Sequence, residues 1–190
     1  LGSEQLLKDL PDNELVEMVR SGNQSAFKII VQKYKTNVAG VVFGMLGNTL
    51  EAEDVGQNVF IRFYNSIEQY RGEAALSTYL TRIAINLSIN EINRRKSKNL
   101  FSLEYWTQSA KEDTNENEHY SKFEQKEIVK KALLKLPDKY RLVIVLRLIE
   151  GYSTEETAEI LEVPLGTVLS RLARAQEKLR KLLTPLMKEK

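Results

Sequence analysis

The stretch LIEGYSTEETAEILEVPLGTVLSRLARAQEKLRKLL, residues 148–183, decides how this chain folds. Gly151 ends one helix, because glycine takes the left-handed backbone of a helix stop without steric cost. Ser153 offers its hydroxyl as an N-cap, and Glu156 three residues on completes a capping box. A short helix follows, with Ala158 and Leu161 expected on its inner face. Glu162-Val163-Pro164 makes the turn, since Pro164 cannot continue the helix before it but fits the first turn of the next. That next helix repeats apolar residues at Val168, Leu172, Ala175, Leu179 and Leu182, one stripe at helical spacing. Its other faces carry Thr167, Ser170, Arg171, Arg174, Lys178, Arg180 and Lys181. A scaffold helix, a tight turn and a basic second helix are the parts of a major-groove reader. Two packed helices with a solvated basic face would show the same pattern, and the pattern alone leaves both readings open.

Outside this stretch, composition sets the frame. The chain has 190 residues, room for one large domain or two small ones. With 42% apolar and 28% charged residues it reads as a soluble globular protein. It has no cysteine, which excludes a disulfide framework and a cysteine-based zinc site and suits a reducing cytosol. The longest apolar candidate, residues 38–46, is far short of a membrane span and contains two glycines. The start, LGSEQLLKDL, lacks the basic-then-apolar layout of a signal peptide. A cytoplasmic protein with no membrane insertion is the expectation.

The net charge of +2 averages opposite local charges. Residues 51–69 are net −3, 71–98 net +4, 99–125 net −4 and 165–190 net +5. Two basic blocks separated by an acidic spacer suggest two contacts with nucleic acid. The boundary between them is visible in TQSAKEDTNENEHY, residues 107–120, which is polar, acidic and aperiodic, as in a mobile tether. The lone histidine, His119, lies there with no nucleophile or metal partner around it. The apolar island of Phe101, Leu103, Tyr105 and Trp106 opens the linker. The four prolines, at 11, 137, 164 and 185, are read as helix boundaries, and no β-alternation persists. The fold class is therefore all-α. Two small helical domains, 12–97 and 123–187, are joined by a flexible acidic linker over 98–122. Helices are expected at 12–21, 23–46, 50–67 and 76–96 in the first domain, and four more in the second.

The wording of the C-terminal segment is more specific than its periodicity. Leu136-Pro137, Arg141, Glu150-Gly151-Tyr152-Ser153, Val163-Pro164, Gly166-Thr167-Val168, Ser170-Arg171-Leu172 and Arg174-Ala175 resemble the −35-reading domain of extracytoplasmic-function sigma factors. An independent match lies upstream. Ala26-Phe27, Tyr34, Ala52-Glu53-Asp54, Gln57, Val59-Phe60, Tyr70-Arg71-Gly72, residues 80–86 (LTRIAIN) and Arg94-Arg95 resemble the promoter-melting domain of the same family. Both occur in family order and together cover nearly the whole chain.

The resemblance implies a promoter-specificity subunit of bacterial RNA polymerase that catalyses nothing alone and needs no cofactor or metal. It places Glu53, Asp54, Gln57 and Arg62 against the β′ clamp helices of core polymerase, with the second domain near the β flap. It gives −10 recognition and strand melting to Tyr70, Arg71, Leu76, Tyr79, Arg82, Asn86, Arg94 and Arg95. Holding unpaired bases takes aromatic faces, snug polar pockets and cations along the phosphates. For Tyr79 a core position beneath the loop is the stronger reading. The −35 contacts fall to Thr167, Leu169, Ser170, Arg171, Ala173, Arg174 and Lys178. Arg174 can fork onto a guanine, whereas Leu169 and Ala173 offer only apolar contact. The family usually has a basic residue where Leu169 stands. Implied partners are core polymerase, promoter DNA in double- and single-stranded form, and an anti-sigma protein. Two other readings stay open on residues alone: a free-standing helix-turn-helix regulator, which leaves 52–95 unexplained, and a helical adaptor for other proteins.

Overall fold

The computed structural model describes residues 7–103 and 122–188, which form eight helices and no strand. The first four are α1 (Asp12–Arg20), α2 (Gln24–Leu46), α3 (Leu50–Asn65) and α4 (Leu76–Leu103). The second four are α5 (Lys122–Leu134), α6 (Asp138–Ile144), α7 (Thr154–Leu161) and α8 (Leu165–Lys188). The tether, His119, Tyr105 and Trp106 lie outside the described residues.

Helix ends follow local chemistry. The Asn23 side chain accepts from the Ala26 amide at 3.0 Å to start α2, and Thr49 does the same for Ala52 at 3.3 Å to start α3. Gly47, at φ +78°, stops α2. α4 runs seven residues past its expected end at Lys96. No glycine or proline occurs in 76–103, so nothing in the chain stops it there. α2 is the axis of the first domain, with α1, α3 and α4 packed round it. Leu15, Ile30, Met45, Phe63, Leu76 and Leu80 are fully buried between them. Each large apolar side chain so buried contributes about 1.5–3 kcal/mol.

In the second domain α6 passes into a π-turn, Val145–Ile149, in which the Glu150 amide bonds the Val145 carbonyl at 2.9 Å. The wider turn puts Val145 and Leu146 inside and leaves Leu148 and Ile149 exposed. Gly151 then takes φ +76°. The capping box forms in full: the Glu156 amide donates to Ser153 Oγ at 3.0 Å, and the Ser153 amide to Glu156 Oε2 at 2.6 Å. The inner face of α7 is rotated from expectation. Thr157 and Ile160 are the buried residues, with Ala158 and Leu161 half-buried at the margin. The helix is pinned on two sides, by α8 and by α4 of the first domain, so its covered face is not the one a lone partner would select. α8 buries Val168 and Ala175 completely, with Leu172, Leu179 and Leu182 beside them. Pro185 is not a boundary; it sits inside the last turn of α8. Only one amide bond, to the carbonyl four residues earlier, is forfeited there, a single turn before the helix ends.

The halves are packed on each other. α2 meets the π-turn, α5 and α6, and α4 meets α7. Arg141, 7% exposed, joins them: its guanidinium donates to Met45 O across the interface at 2.5 Å, and to Leu134 O at 2.6 Å and Leu136 O at 2.9 Å. Met45 O is one of the carbonyls that the end of α2 leaves without a helical partner.

Candidate nucleic-acid and polymerase surfaces

On α3 the apolar residues Val55, Val59, Phe60 and Phe63 face the core. Glu53, Asp54, Gln57 and Arg62 all stay exposed, spread over the outer half of the helix with Ile61 among them. Beside them Phe27 and Tyr64 stack edge to face at 5.0 Å.

The −10 candidates divide by environment. Tyr70 and Leu76 are buried, and Tyr70 donates its hydroxyl to Ala74 O at 2.9 Å. The Tyr79 ring lies 5.1 Å from that of Tyr70 and 6.2 Å from that of Phe63, as a support beneath the loop. Arg71 and Asn86 are exposed. Arg94 and Arg95 are engaged within the domain. Arg94 forks onto Glu91 at 2.6 and 2.9 Å, while Arg95 reaches Glu91 at 2.8 Å and Thr49 at 2.9 Å. The Arg94 bonds, with those of Arg95, hold the Glu91 carboxyl down at about 2. Arg95 thus ties α4 to the start of α3, and Arg94 keeps an exposed edge.

On α8, Leu169, Ser170, Ala173 and Arg174 lie on the open side of the helix. Arg174 makes no ion pair or hydrogen bond to any described residue. Ser170 donates to Thr167 O at 3.1 Å. The Thr167 amide is already bonded to Pro164 O at 2.8 Å. Lys178 sits 5.8 Å from the centre of the Tyr140 ring. Arg171 lines the cleft between the domains instead of the outer face.

That cleft, about 460 Å³, also holds Arg82 and Asn86 of the first domain. Arg82 donates to Glu159 O of α7 at 2.7 Å and pairs with Glu162 at 3.5 Å. Deeper in the interface, Asn37 donates to Glu150 at 3.3 Å, and the Tyr152 hydroxyl contacts Thr81 at 2.9 Å and Asn37 at 3.2 Å. Burial pushes the Glu150 carboxyl up from its ordinary value. Lys96 closes the far edge on Asp138 at 2.7 Å. Sequence reasoning missed this interface. Its trace was the spacing of Gly40 and Gly44 in the apolar last turns of α2, with Gly47 just past its end, which marks close approach of another backbone or side chain. A Cβ at Gly44 would lie 2.7 Å from Val145 Cγ2 and 2.9 Å from Cγ1.

Comparison with known proteins matches these halves separately. Residues 30–98 match sigma-70 region 2 and residues 126–179 match sigma-70 region 4. The two domains are therefore those of a sigma-70-class protein. The ECF RNA polymerase sigma factor SigW of Bacillus subtilis is 37% identical, over 90% of this chain and 96% of that protein. The solved structure of CnrH in complex with the cytosolic domain of CnrY superposes with a TM-score of 0.68 at 25% identity, over 92% of this chain and 97% of that one. The sigma factor RpoE of Bartonella quintana, solved with the anti-sigma factor NepR, shares the fold at a TM-score of 0.65 and 22% identity, over 83% of this chain and 96% of that one. The chain belongs to the extracytoplasmic-function (ECF) sigma factors.

Among the described residues no helix is long and apolar enough to cross a membrane.

Proposed function

We propose that this chain directs bacterial RNA polymerase core to specific promoters and helps open the DNA strands, with no catalytic step or cofactor of its own. The observation that carries the reading is the presence of both sigma regions, in order, on one chain. Domain 12–97 binds core polymerase through Glu53, Asp54, Gln57 and Arg62 on α3. The same domain takes the −10 element with Arg71, Arg82, Asn86 and the exposed edge of Arg94. Tyr70, Leu76 and Tyr79 hold the loop from beneath, and Arg95 holds the helix. Domain 123–187 takes the −35 element on α8, chiefly through Arg174, Ser170 and Leu169, with Lys178 and Arg171 as charge at the flanks. Linker 98–122 spans between them. The chain works in the cytoplasm, where polymerase is.

The closed packing has a functional cost, since Arg82 is bonded to α7 and Asn86 lies in the cleft. Engaging −10 DNA therefore requires the domains to part. Their equilibrium is set by whichever partner binds one arrangement better. An anti-sigma protein, such as the one solved with the Bartonella relative, is the natural partner for the closed form.

Division of labour tests the proposal. Arg174→Ala weakens −35 binding by roughly 1–3 kcal/mol, the worth of a good base contact, and leaves core binding intact. Asp54→Ala with Gln57→Ala does the reverse. Equal loss of polymerase affinity from both sets refutes the two-surface assignment.

A further inference from the structure

The recognition helix carries an apolar line that the core does not use. Leu165 is 42% exposed and Leu169 50% exposed, and Ala173 continues the line at the same spacing of four. The inner stripe, Val168, Leu172, Ala175, Leu179 and Leu182, already supplies the helix's packing. Two exposed leucines one turn apart at the start of a helix are therefore not there for stability. The polar line beside them, Gly166, Ser170 and Arg174, offers few hydrogen-bond donors for reading bases. Glycine has no side chain, and Ser170 spends its hydroxyl hydrogen on Thr167 O. Among the described residues, Arg174 makes no hydrogen bond or ion pair, and Lys178 one turn further on is turned toward the Tyr140 ring.

We propose that Leu165 and Leu169 read thymine methyl groups in the major groove of the −35 element. The inference rests on the −35 role of α8 given above. The occupant is set by chemistry. The helix carries exposed Arg174, Lys178, Arg180 and Lys181, so its open side draws a polyanion. In a major groove the thymine C5-methyl is the apolar group a leucine can cover. Leu165 heads the helix and Leu169 follows one turn, about 5.4 Å, along it. That rise spans one to two base-pair steps of 3.4 Å per strand. The pair therefore selects thymines close together, with Arg174 reading a guanine further along.

The test uses the full chain assembled with core polymerase. A duplex pool randomised over the −35 region is first selected for binding. Each thymine of the selected element is then replaced by deoxyuridine, which removes the methyl and nothing else. Wild-type holoenzyme should lose about fourfold in affinity at one or two positions. That follows from roughly 0.8 kcal/mol per buried carbon and 1.4 kcal/mol per decade. Leu169→Ala should bind the thymine site about as the wild type binds the uracil site, and be indifferent to the exchange at its position. Both leucines are exposed, so unchanged thermal unfolding of the variants checks that the fold is intact. A selected −35 element whose binding ignores every thymine-to-uracil exchange overturns the methyl proposal alone. Leu169→Ala keeping full methyl sensitivity does the same if Leu165→Ala keeps it too. A selection that enriches no −35 element overturns the underlying role of α8 as well.

Discussion

Gly44→Ala isolates the interface between the domains. The added Cβ would stand 2.7 and 2.9 Å from the two methyls of Val145 and 3.4 Å from its Cβ. Val145 is fully buried, and a β-branched side chain in a helical turn has essentially one rotamer, so it cannot swing aside. One extra methyl forced into such packing costs about 1–3 kcal/mol. Alanine also favours helix over glycine by about 1 kcal/mol. That gain is equal in the closed and open forms, because α2 is a helix in both, so it does not offset the clash. The closed-to-open ratio should fall by about 5- to 150-fold, while the first domain itself becomes no less stable. Because the chain lacks cysteine, Asn93→Cys and Gln176→Cys give two clean labelling sites, one per domain. Single-molecule energy transfer should show the short-distance population shrink in Gly44→Ala and return in Gly44→Ala with Val145→Ala, where the clash is relieved. The same distance distribution in wild type and Gly44→Ala would refute the reasoning.

Three further outcomes follow from the structure. Arg141→Ala should lower stability in chemical denaturation by more than about 3 kcal/mol, because three carbonyls lose a charged donor; a loss under about 1 kcal/mol would show that water takes its place. Glu91 gives an acid-dependent term: its folded pKa is depressed, so its contribution is present above the ordinary carboxylate value of 4.5 and is lost as pH falls through about 2. Acid unfolding of Glu91→Gln should lack that component, and identical pH profiles would remove Glu91 from the account. A cysteine pair at Gly44 and Val145, with Cβ atoms 3.4 Å apart, is close to disulfide geometry; oxidation should lock the domains closed and block promoter opening until reduction restores it.

The sequence showed most of the architecture because its punctuation is strong. Ser153 with Glu156, Gly151 and Pro164 fix the helix-turn-helix through local chemistry, and the stripe from Val168 to Leu182 orients α8. α3 was legible for the same reason, its buried and exposed residues separating by period. What escaped was the tertiary placement of polar groups. Arg94 and Arg95 read as phosphate contacts, but their pairing with Glu91 depends on helix phase and on Thr49 from another element. Arg82 faces α7 only because the two domains close on each other, and no local pattern encodes a contact across 77 residues. The inner face of α7 was misjudged for the same reason. Thr157 and Ile160 are covered because α4 comes in beside α8, a partner the short helix's own sequence does not announce.

As a promoter-specificity subunit, this chain should make core polymerase initiate at chosen promoters. Run-off transcription with purified bacterial core polymerase, the full chain and a library of promoter-containing templates tests it most directly. Core alone should give no specific transcript. Adding the chain should yield discrete starts on templates sharing a −10 and a −35 element. Arg174→Ala should reduce those starts by about tenfold or more, and Asp54→Ala with Gln57→Ala should reduce them further. Binding of the chain to promoter DNA with no polymerase-dependent start on any template would contradict that role.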